Sequence, residues 1–180
     1  MDYMKKWLDR MGEIFLIDIG IEQNHSVIDF GCGNGNYTIP TAKVVGEGGR
    51  VYAIDKNKES LDKLMQRFEK IGLKNIARID VSEGIKVSLQ DESVDVVLLY
   101  DVIHLVGNRR KLLTEMYRVL KTNALISVYP KHHQEYMNME LDDVKEEIKS
   151  VGFVFERMLY KTLMHDDYLE QGYVLNFRKQ

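Results

Sequence analysis

Val27-Ile28-Asp29-Phe30-Gly31-Cys32-Gly33-Asn34-Gly35-Asn36-Tyr37-Thr38 decides the fold. Val27 to Phe30 is a short apolar run suited to a buried strand. The glycines at 31, 33 and 35 predict a tight turn, and a helix-compatible segment starts near Tyr37. Glycines at that spacing let the backbone turn sharply and let a ligand approach main-chain N–H groups without meeting a Cβ. A dinucleotide fingerprint would place its glycines at 31, 33 and 36. Position 36 is Asn, and the third glycine falls at 35.

Outward from this turn the chain alternates. Runs rich in Val, Ile, Leu or Tyr predict strands at 26–30, 50–54, 75–79, 94–100 and 124–129. Leu61, Leu64, Met65, Phe68 and Ile71 recur at helical spacing and stop at Gly72. Leu112, Leu113, Met116, Val119 and Leu120 repeat the stripe between the fourth and fifth strands. Leu141, Val144, Ile148 and Val151 do so after the fifth, ending at Gly152. The link at 82–93 is weakly patterned and predicts at most a stunted helix. Strand–helix alternation with near-continuous apolar strands argues for a parallel sheet covered on both faces. Phe153 to Leu159 and Tyr173 to Phe177 read as two further strands joined by residues 160–172, with no crossover helix between them, and so as an antiparallel end. The expected fold is α/β: a Rossmann-like three-layer sandwich with a mostly parallel seven-stranded sheet and an antiparallel C-terminal hairpin strand.

The 180 residues predict one domain spanning 1–180, with 1–25 as an N-terminal helical cap segment. A hydrophobic content of 44% suffices for a proper core, and a net charge of −3 offers no global field for nucleic acid or an anionic membrane. One cysteine excludes an internal disulfide and a cysteine-cluster metal site. The longest apolar run, Val96 to Tyr100, is far short of a membrane span. No signal-peptide core follows Lys5 and Lys6, so the expected location is cytoplasmic.

Aspartates close the first four strands: Asp29, Asp55, Asp80 and Asp101. Ligands of open α/β sheets bind outside the carboxyl ends of the strands, so these groups would share one crevice. Such a crevice favours a cationic ligand, such as a sulfonium with an α-amino group, and repels a pyrophosphate. Asp55 follows Gly35 by 20 residues, where a carboxylate can accept both hydroxyls of a ribose. Aspartate is also a common turn and cap residue at strand ends, so no single one of these carries the argument.

Val27-Ile28-Asp29-Phe30-Gly31-Cys32-Gly33-Asn34-Gly35, Asp55, Asp80 and Val94-Asp95-Val96-Val97-Leu98-Leu99-Tyr100-Asp101-Val102-Ile103-His104 together resemble the class I S-adenosylmethionine-dependent methyltransferases. The resemblance runs from about Val27 to Phe177 and is nearer to small-molecule enzymes of the quinone-biosynthesis type than to nucleic-acid or protein methylases. It implies S-adenosylmethionine as cofactor, with S-adenosylhomocysteine as product. By this resemblance Gly31, Cys32, Gly33 and Gly35 line the methionine portion, while Asp29 braces the turn or touches that portion through water. Asp55, with Lys56 beside it, takes the ribose; Asp80 and Val81 hold the adenine; Tyr100 and Asp101 border the methionine end. The family's usual glycine in the turn before the fifth strand is replaced within Lys121-Thr122-Asn123.

Methyl transfer from a sulfonium is an in-line displacement in which positioning and dehydration supply most of the acceleration. A base is needed only for a protonated acceptor, and a metal is not needed. His104, after the fourth strand, and His132, after the fifth, are the candidate bases, although a packed ring and a solvated loop explain them equally. His133 adjoins His132, and His165 with Asp166 and Asp167 is expected in the terminal hairpin loop, over the same rim; His25 reads as structural. Tyr37 and Tyr100 are candidates for cation–π contact with the sulfonium, or plain packing. Met4, Trp7, Leu8 and Met11 form an apolar stripe that reads first as core packing. A small-molecule acceptor and a possible homodimer, whose second subunit would cap the site, complete the expectation, with no nucleic acid and no membrane span among the partners. A binding module or partner subunit without turnover is the alternative. An NAD-dependent oxidoreductase is disfavoured by the glycine spacing, and an RNA methylase by the lack of a basic stripe.

Overall fold

A computed structural model describes residues 3–79, 81, 85–130 and 139–180. The first strand, β1 (Ser26–Phe30), lies between β2 (Arg50–Ile54) and β4 (Val94–Tyr100), parallel to both, with Asp29 opposite Ala53 and Leu98. β3 (Ile76–Ile79) flanks β2, and β5 (Leu120–Tyr129) flanks β4, again parallel. β7 (Tyr168–Lys179) then pairs antiparallel with β5, and β6 (Phe153–His165) antiparallel with β7. The sheet order is β3-β2-β1-β4-β5-β7-β6, the seven-stranded mixed sheet that the alternation and the tail predict.

Side chains alternate across each strand and so feed two cores. On one face Val27, Val96 and Leu98 pack with Trp7, Phe15, Leu16 and Ile19 from the N-terminal helices, and with Ile39, Leu61 and Leu64 from α3 (Thr38–Val45) and α4 (Lys58–Lys70). On the other, Ile28, Val97, Leu99 and Ile126 pack against Leu112, Leu113, Met116, Val144 and Ile148 of α5 (Arg109–Val119) and α6 (Leu141–Lys149). This is the three-layer sandwich. Asn57 caps α4 by accepting from Ser60 N at 3.2 Å, and Asn108 caps α5 by accepting from Lys111 N at 3.0 Å.

The N-terminal stripe is core. α1 (Tyr3–Lys6) passes through a π-helical turn (Trp7–Met11) into α2 (Gly12–Ile19), and Trp7 is wholly buried. Its ring packs edge-on to Tyr37, and its Nε1 donates to Asn36 O at 2.7 Å. The N-terminal segment therefore braces the exit of the glycine turn.

Two boundaries differ from the sequence expectation. β5 begins at Leu120 rather than 124, because Asn123 takes a left-handed φ of 63° and the register against β4 jumps from Val94–Leu120 to Val96–Leu125. Asparagine tolerates that conformation, so the polar turn needs no glycine. Residues 160–172 are not a connecting loop. β6 and β7 run to His165 and Tyr168, leaving only Asp166 and Asp167 between them, with Asp166 at a left-handed φ of 49°. Between β3 and β4, no helix occurs among the described residues.

Candidate active site

β1 ends at Phe30, and the chain turns back at once. The N–H groups of Gly31 and Cys32 both donate to Ile54 O on β2, at 2.7 and 3.0 Å, and Gly35 N closes the turn on Cys32 O at 2.9 Å. Gly31, Gly33 and Gly35 all have positive φ. At Gly33, with φ of 50°, an added Cβ would meet no atom of the protein within 4 Å, so this edge of the turn faces open space.

Asp55 clips the turn in place. Its Oδ2 accepts from Gly33 N at 2.8 Å and its Oδ1 from Asn57 N at 2.8 Å, joining the end of β2 to the glycine turn and to the start of α4. Each carboxylate oxygen still has room for a second donor. Asp29 sits deeper, 3% exposed, and its Oδ2 accepts from Thr38 Oγ1 at 2.6 Å. It braces the start of α3.

Burial pushes the Asp29 carboxyl up to about 6; Asp55 adds to the rise, and the Thr38 hydroxyl opposes it. With the folded value above the ordinary 3.8, the protonated form stabilises the fold at pH below 4, and that contribution is lost as pH rises through 6. Between pH 4 and 7 the native state is expected to lose on the order of 3 kcal/mol from this group. Urea unfolding of Asp29→Asn should show that slope removed, whereas an unchanged slope would place the shift elsewhere. Burial, with the Asp29 and Asp55 charges behind it, also pushes the Cys32 thiol far up, so it stays neutral and is no nucleophile.

Two cavities meet at Gly31, Asp101 and Leu105. The first, about 310 Å³, is lined by Phe30, Ile54, Val81, Val102 and Val106, with Asp55 and Lys56 at its polar edge. The second, about 370 Å³, is lined by Cys32, Gly33, Asn34, Asn36, Tyr37, Ser60, Tyr100, Met164, His165 and Asp166. A flat apolar slot beside a carboxylate suits a nucleoside, and a polar chamber beside the glycine turn suits an amino-acid tail. A larger cavity of about 570 Å³ lies between Ala42–Arg50 and Gly72–Asn75, at the amino ends of β2 and β3, away from the glycine turn and from the edge where open α/β sheets bind ligands.

Asp101 forms the junction of the two cavities. It takes a left-handed φ of 52°, and burial pushes its carboxyl up to about 6 against the opposing effect of His165. Its Oδ2 lies 2.5 Å from His165 Nδ1, while its Oδ1 is buried with no hydrogen-bond partner among the described residues. A buried acceptor at that position calls for a donor such as an ammonium group. With the open edge at Gly33 and the slot beside Asp55, it fits S-adenosylmethionine.

Of the residues expected from sequence, Gly31, Cys32, Gly33, Asp55, Lys56, Val81, Tyr100 and Asp101 line one or both cavities. Gly35 and Asp29 support the turn from behind it. Tyr37 and Tyr100 pack edge to face at 4.7 Å, with their hydroxyls committed to Met164 O and Ser127 Oγ, which leaves only ring surface to the second cavity. His104 stands in a single 3-10 turn (Ile103–Leu105); its neighbour Leu105 lines both cavities, and His104 lines neither. Asp80, His132 and His133 lie outside the described residues. The sequence reading missed Leu105, Val106 and Met164, apolar residues whose patterns are those of ordinary packing.

Residues 21–172 match the family model described as a methyltransferase domain. The demethylmenaquinone methyltransferase of Lactobacillus johnsonii is 26% identical over 114 residues, 63% of this chain and 47% of that protein. The ubiquinone/menaquinone biosynthesis C-methyltransferase UbiE of Klebsiella pneumoniae is 25% identical over 177 residues, 92% of this chain and 70% of its own length. The chain thus spans about half of one of these relatives and rather more of the other. Among solved structures, a SAM-dependent methyltransferase from Aquifex aeolicus superposes with a TM-score of 0.78 at 26% identity, covering 97% of this chain and 95% of that one. A glycine turn clipped by an aspartate, a sheet finished by an antiparallel hairpin and a match over most of the length converge: the chain belongs to the methyltransferase domain family, as a class I S-adenosylmethionine-dependent methyltransferase.

Proposed function

We propose that the chain methylates a small aromatic acceptor of the quinol type at the carboxyl ends of β1, β4 and β6. The observation that carries this reading is the pair of joined cavities, one apolar beside Asp55 and one polar beside Gly33, meeting at the buried Asp101 carboxylate. The naming of the two relatives as enzymes of menaquinone and ubiquinone biosynthesis supports the acceptor class.

Bound S-adenosylmethionine supplies a methyl group already activated on a sulfonium. Asp55 accepts from the ribose hydroxyls, with Lys56 beside it, and Val81 with Asp80 holds the adenine against Phe30 and Val102. Gly31, Cys32 and Gly33 present backbone to the methionine portion, braced through Asp29 and Gly35, and Asp101 Oδ1 accepts from its amino group. Tyr37 and Tyr100 turn ring surface toward the cationic centre, worth about 0.5–2 kcal/mol. The buried parts of the walls, Cys32, Tyr37, Tyr100, Val102 and Met164, shield one side of these interactions from water. Of the bases expected from sequence for a protonated acceptor, His104 lines neither cavity and His132 lies outside the described residues. The setting is cytoplasmic, no nucleic acid is bound, and a homodimer would complete the open side of the second cavity. No helix among the described residues is long and apolar enough to cross a membrane.

The test is transfer of radiolabelled methyl from S-adenosylmethionine to 1,4-dihydroxynaphthalene, compared with simple amines and with no acceptor. Label in the quinol supports the reading. Tight binding of S-adenosylhomocysteine with no label in any acceptor would make the chain a binding module.

A further inference from the structure

Asp101, His165 and Glu170 are remote in sequence and converge in space. They come from the end of β4, the end of β6 and the body of β7, and one side-chain ligand atom from each lies within 4.8 Å of the others. His165 is 5% exposed and lines the second cavity together with Gly33, Tyr37 and Tyr100. The backbone of Asp101 is left-handed, with φ of 52°, a conformation that aspartate adopts more readily than most residues. That turn of the backbone at the carboxyl end of β4 sets a carboxylate 2.5 Å from the imidazole Nδ1.

We propose that His165 is the general base of this methyltransferase, oriented by Asp101, and that it takes the proton of an acceptor hydroxyl; the proposal rests on reading the joined cavities as the donor site. An ionised Asp101 only accepts, so Nδ1 carries the ring proton and the basic lone pair is on Nε2. This is the role a carboxylate plays behind a catalytic imidazole: it fixes the tautomer and faces the positive charge that develops on the ring. Among the described residues, the other groups around the ring are acidic or neutral. Asp166 Oδ2 in the turn is 3.7 Å from Nε2, Tyr168 of β7 packs edge-on at 5.3 Å, and Glu170 of β7 accepts from the Tyr129 hydroxyl of β5 at 2.5 Å. In the step, the hydroxyl proton passes to Nε2, the oxygen electron pair moves into the ring, and the adjacent ring carbon forms the bond to the methyl carbon and then loses its own proton to water. The carbon–sulfur pair returns to sulfur as a neutral thioether, and His165 later releases its proton to water.

The same three side chains are of types that bind metals. The 2.5 Å separation of Nδ1 and Oδ2 is that of a hydrogen bond, closer than two ligands on one ion at about 2.0–2.2 Å each would stand.

The experiment compares wild type with His165→Gln, Asp101→Asn and His104→Ala. Nitrogen NMR of the imidazoles, taken without acceptor, should show His165 as the Nδ1–H tautomer in wild type and a mixture in Asp101→Asn. Calorimetry should give His165→Gln an S-adenosylhomocysteine affinity within twofold of wild type, which also reports its folding. Transfer to 1,4-dihydroxynaphthalene should fall about 10²–10⁴-fold in kcat in His165→Gln at pH 7 and recover partly as pH approaches ionisation of the quinol. Asp101→Asn should lose less rate and shift the pH midpoint. The proposal is overturned by an Nε2–H tautomer in wild type, by a His165→Gln rate near wild type, or by a deficit that is the same at every pH. It is also overturned if His104→Ala carries the loss instead, if a chelator abolishes transfer, or if a wild type that binds the product transfers nothing to the quinol. Failure of wild type to bind S-adenosylhomocysteine would sink the donor site itself, a different result.

Discussion

Gly33→Val is expected to weaken S-adenosylhomocysteine binding by more than 100-fold, to below detection by calorimetry at ordinary protein concentrations. Two effects act together. The φ of 50° at Gly33 is strained for any β-branched residue, and the side chain would stand in the open space at the edge of the turn, where no protein atom lies within 4 Å. The strain alone would lower stability and pull Gly33 N away from Asp55. Gly33→Asn separates the two effects, because asparagine adopts the left-handed region readily. It is expected to keep a thermal midpoint close to wild type and still lose at least tenfold in affinity. Unchanged affinity in Gly33→Asn would mean that the glycines serve only as a turn.

Asp55→Ala is expected to weaken the same ligand by about 10–100-fold, corresponding to 1–3 kcal/mol for lost charge-assisted hydrogen bonds. The carboxylate serves the fold and the proposed ribose contact at once, since it already holds Gly33 N and Asn57 N. A control is needed to divide the loss. Asp55→Asn keeps one carbonyl oxygen and gives up the charge and one acceptor, so its affinity should fall between wild type and Asp55→Ala. Adenosine, which has the ribose but lacks the methionine portion, should lose affinity by a similar factor in both variants. Full retention of adenosine affinity in Asp55→Ala would remove the ribose assignment and leave Asp55 as a clip of the turn.

The parallel part of the fold was legible because each of its elements has one periodicity. β1, β2 and β4 fall where their apolar runs fall, and α4 buries Leu61, Leu64 and Phe68 as its stripe requires. The antiparallel end was legible as well, but not the length of its hairpin, because residues 154–162 of β6 are mostly solvent-exposed and carry no alternation of apolar and polar side chains. An edge strand of that kind is held by pairing to its neighbour, which sequence patterns record poorly. Asp166-Asp167 therefore marks the tip of a long ribbon and not the middle of a loop.

The site divides the same way. The glycine turn and Asp55 are close in the chain and carry a spacing that geometry enforces. The Asp101–His165 contact spans 64 residues and depends on a left-handed aspartate and on the full length of β6, neither of which leaves a local mark. His104 has the right place in the chain order, immediately after β4. The 3-10 turn there presents Leu105 to both cavities in its stead.

The central claim is that the glycine turn and the strand-end carboxylates hold an adenosyl donor. A crystal structure grown with S-adenosylhomocysteine tests it most directly. The account predicts density through both cavities, with the ribose hydroxyls on Asp55, the amino group on Asp101 and the backbone of Gly31 to Gly33 along the methionine portion. A well-bound ligand lying in the cavity between Ala42–Arg50 and Gly72–Asn75, or density that leaves Asp55 without a contact, would contradict it.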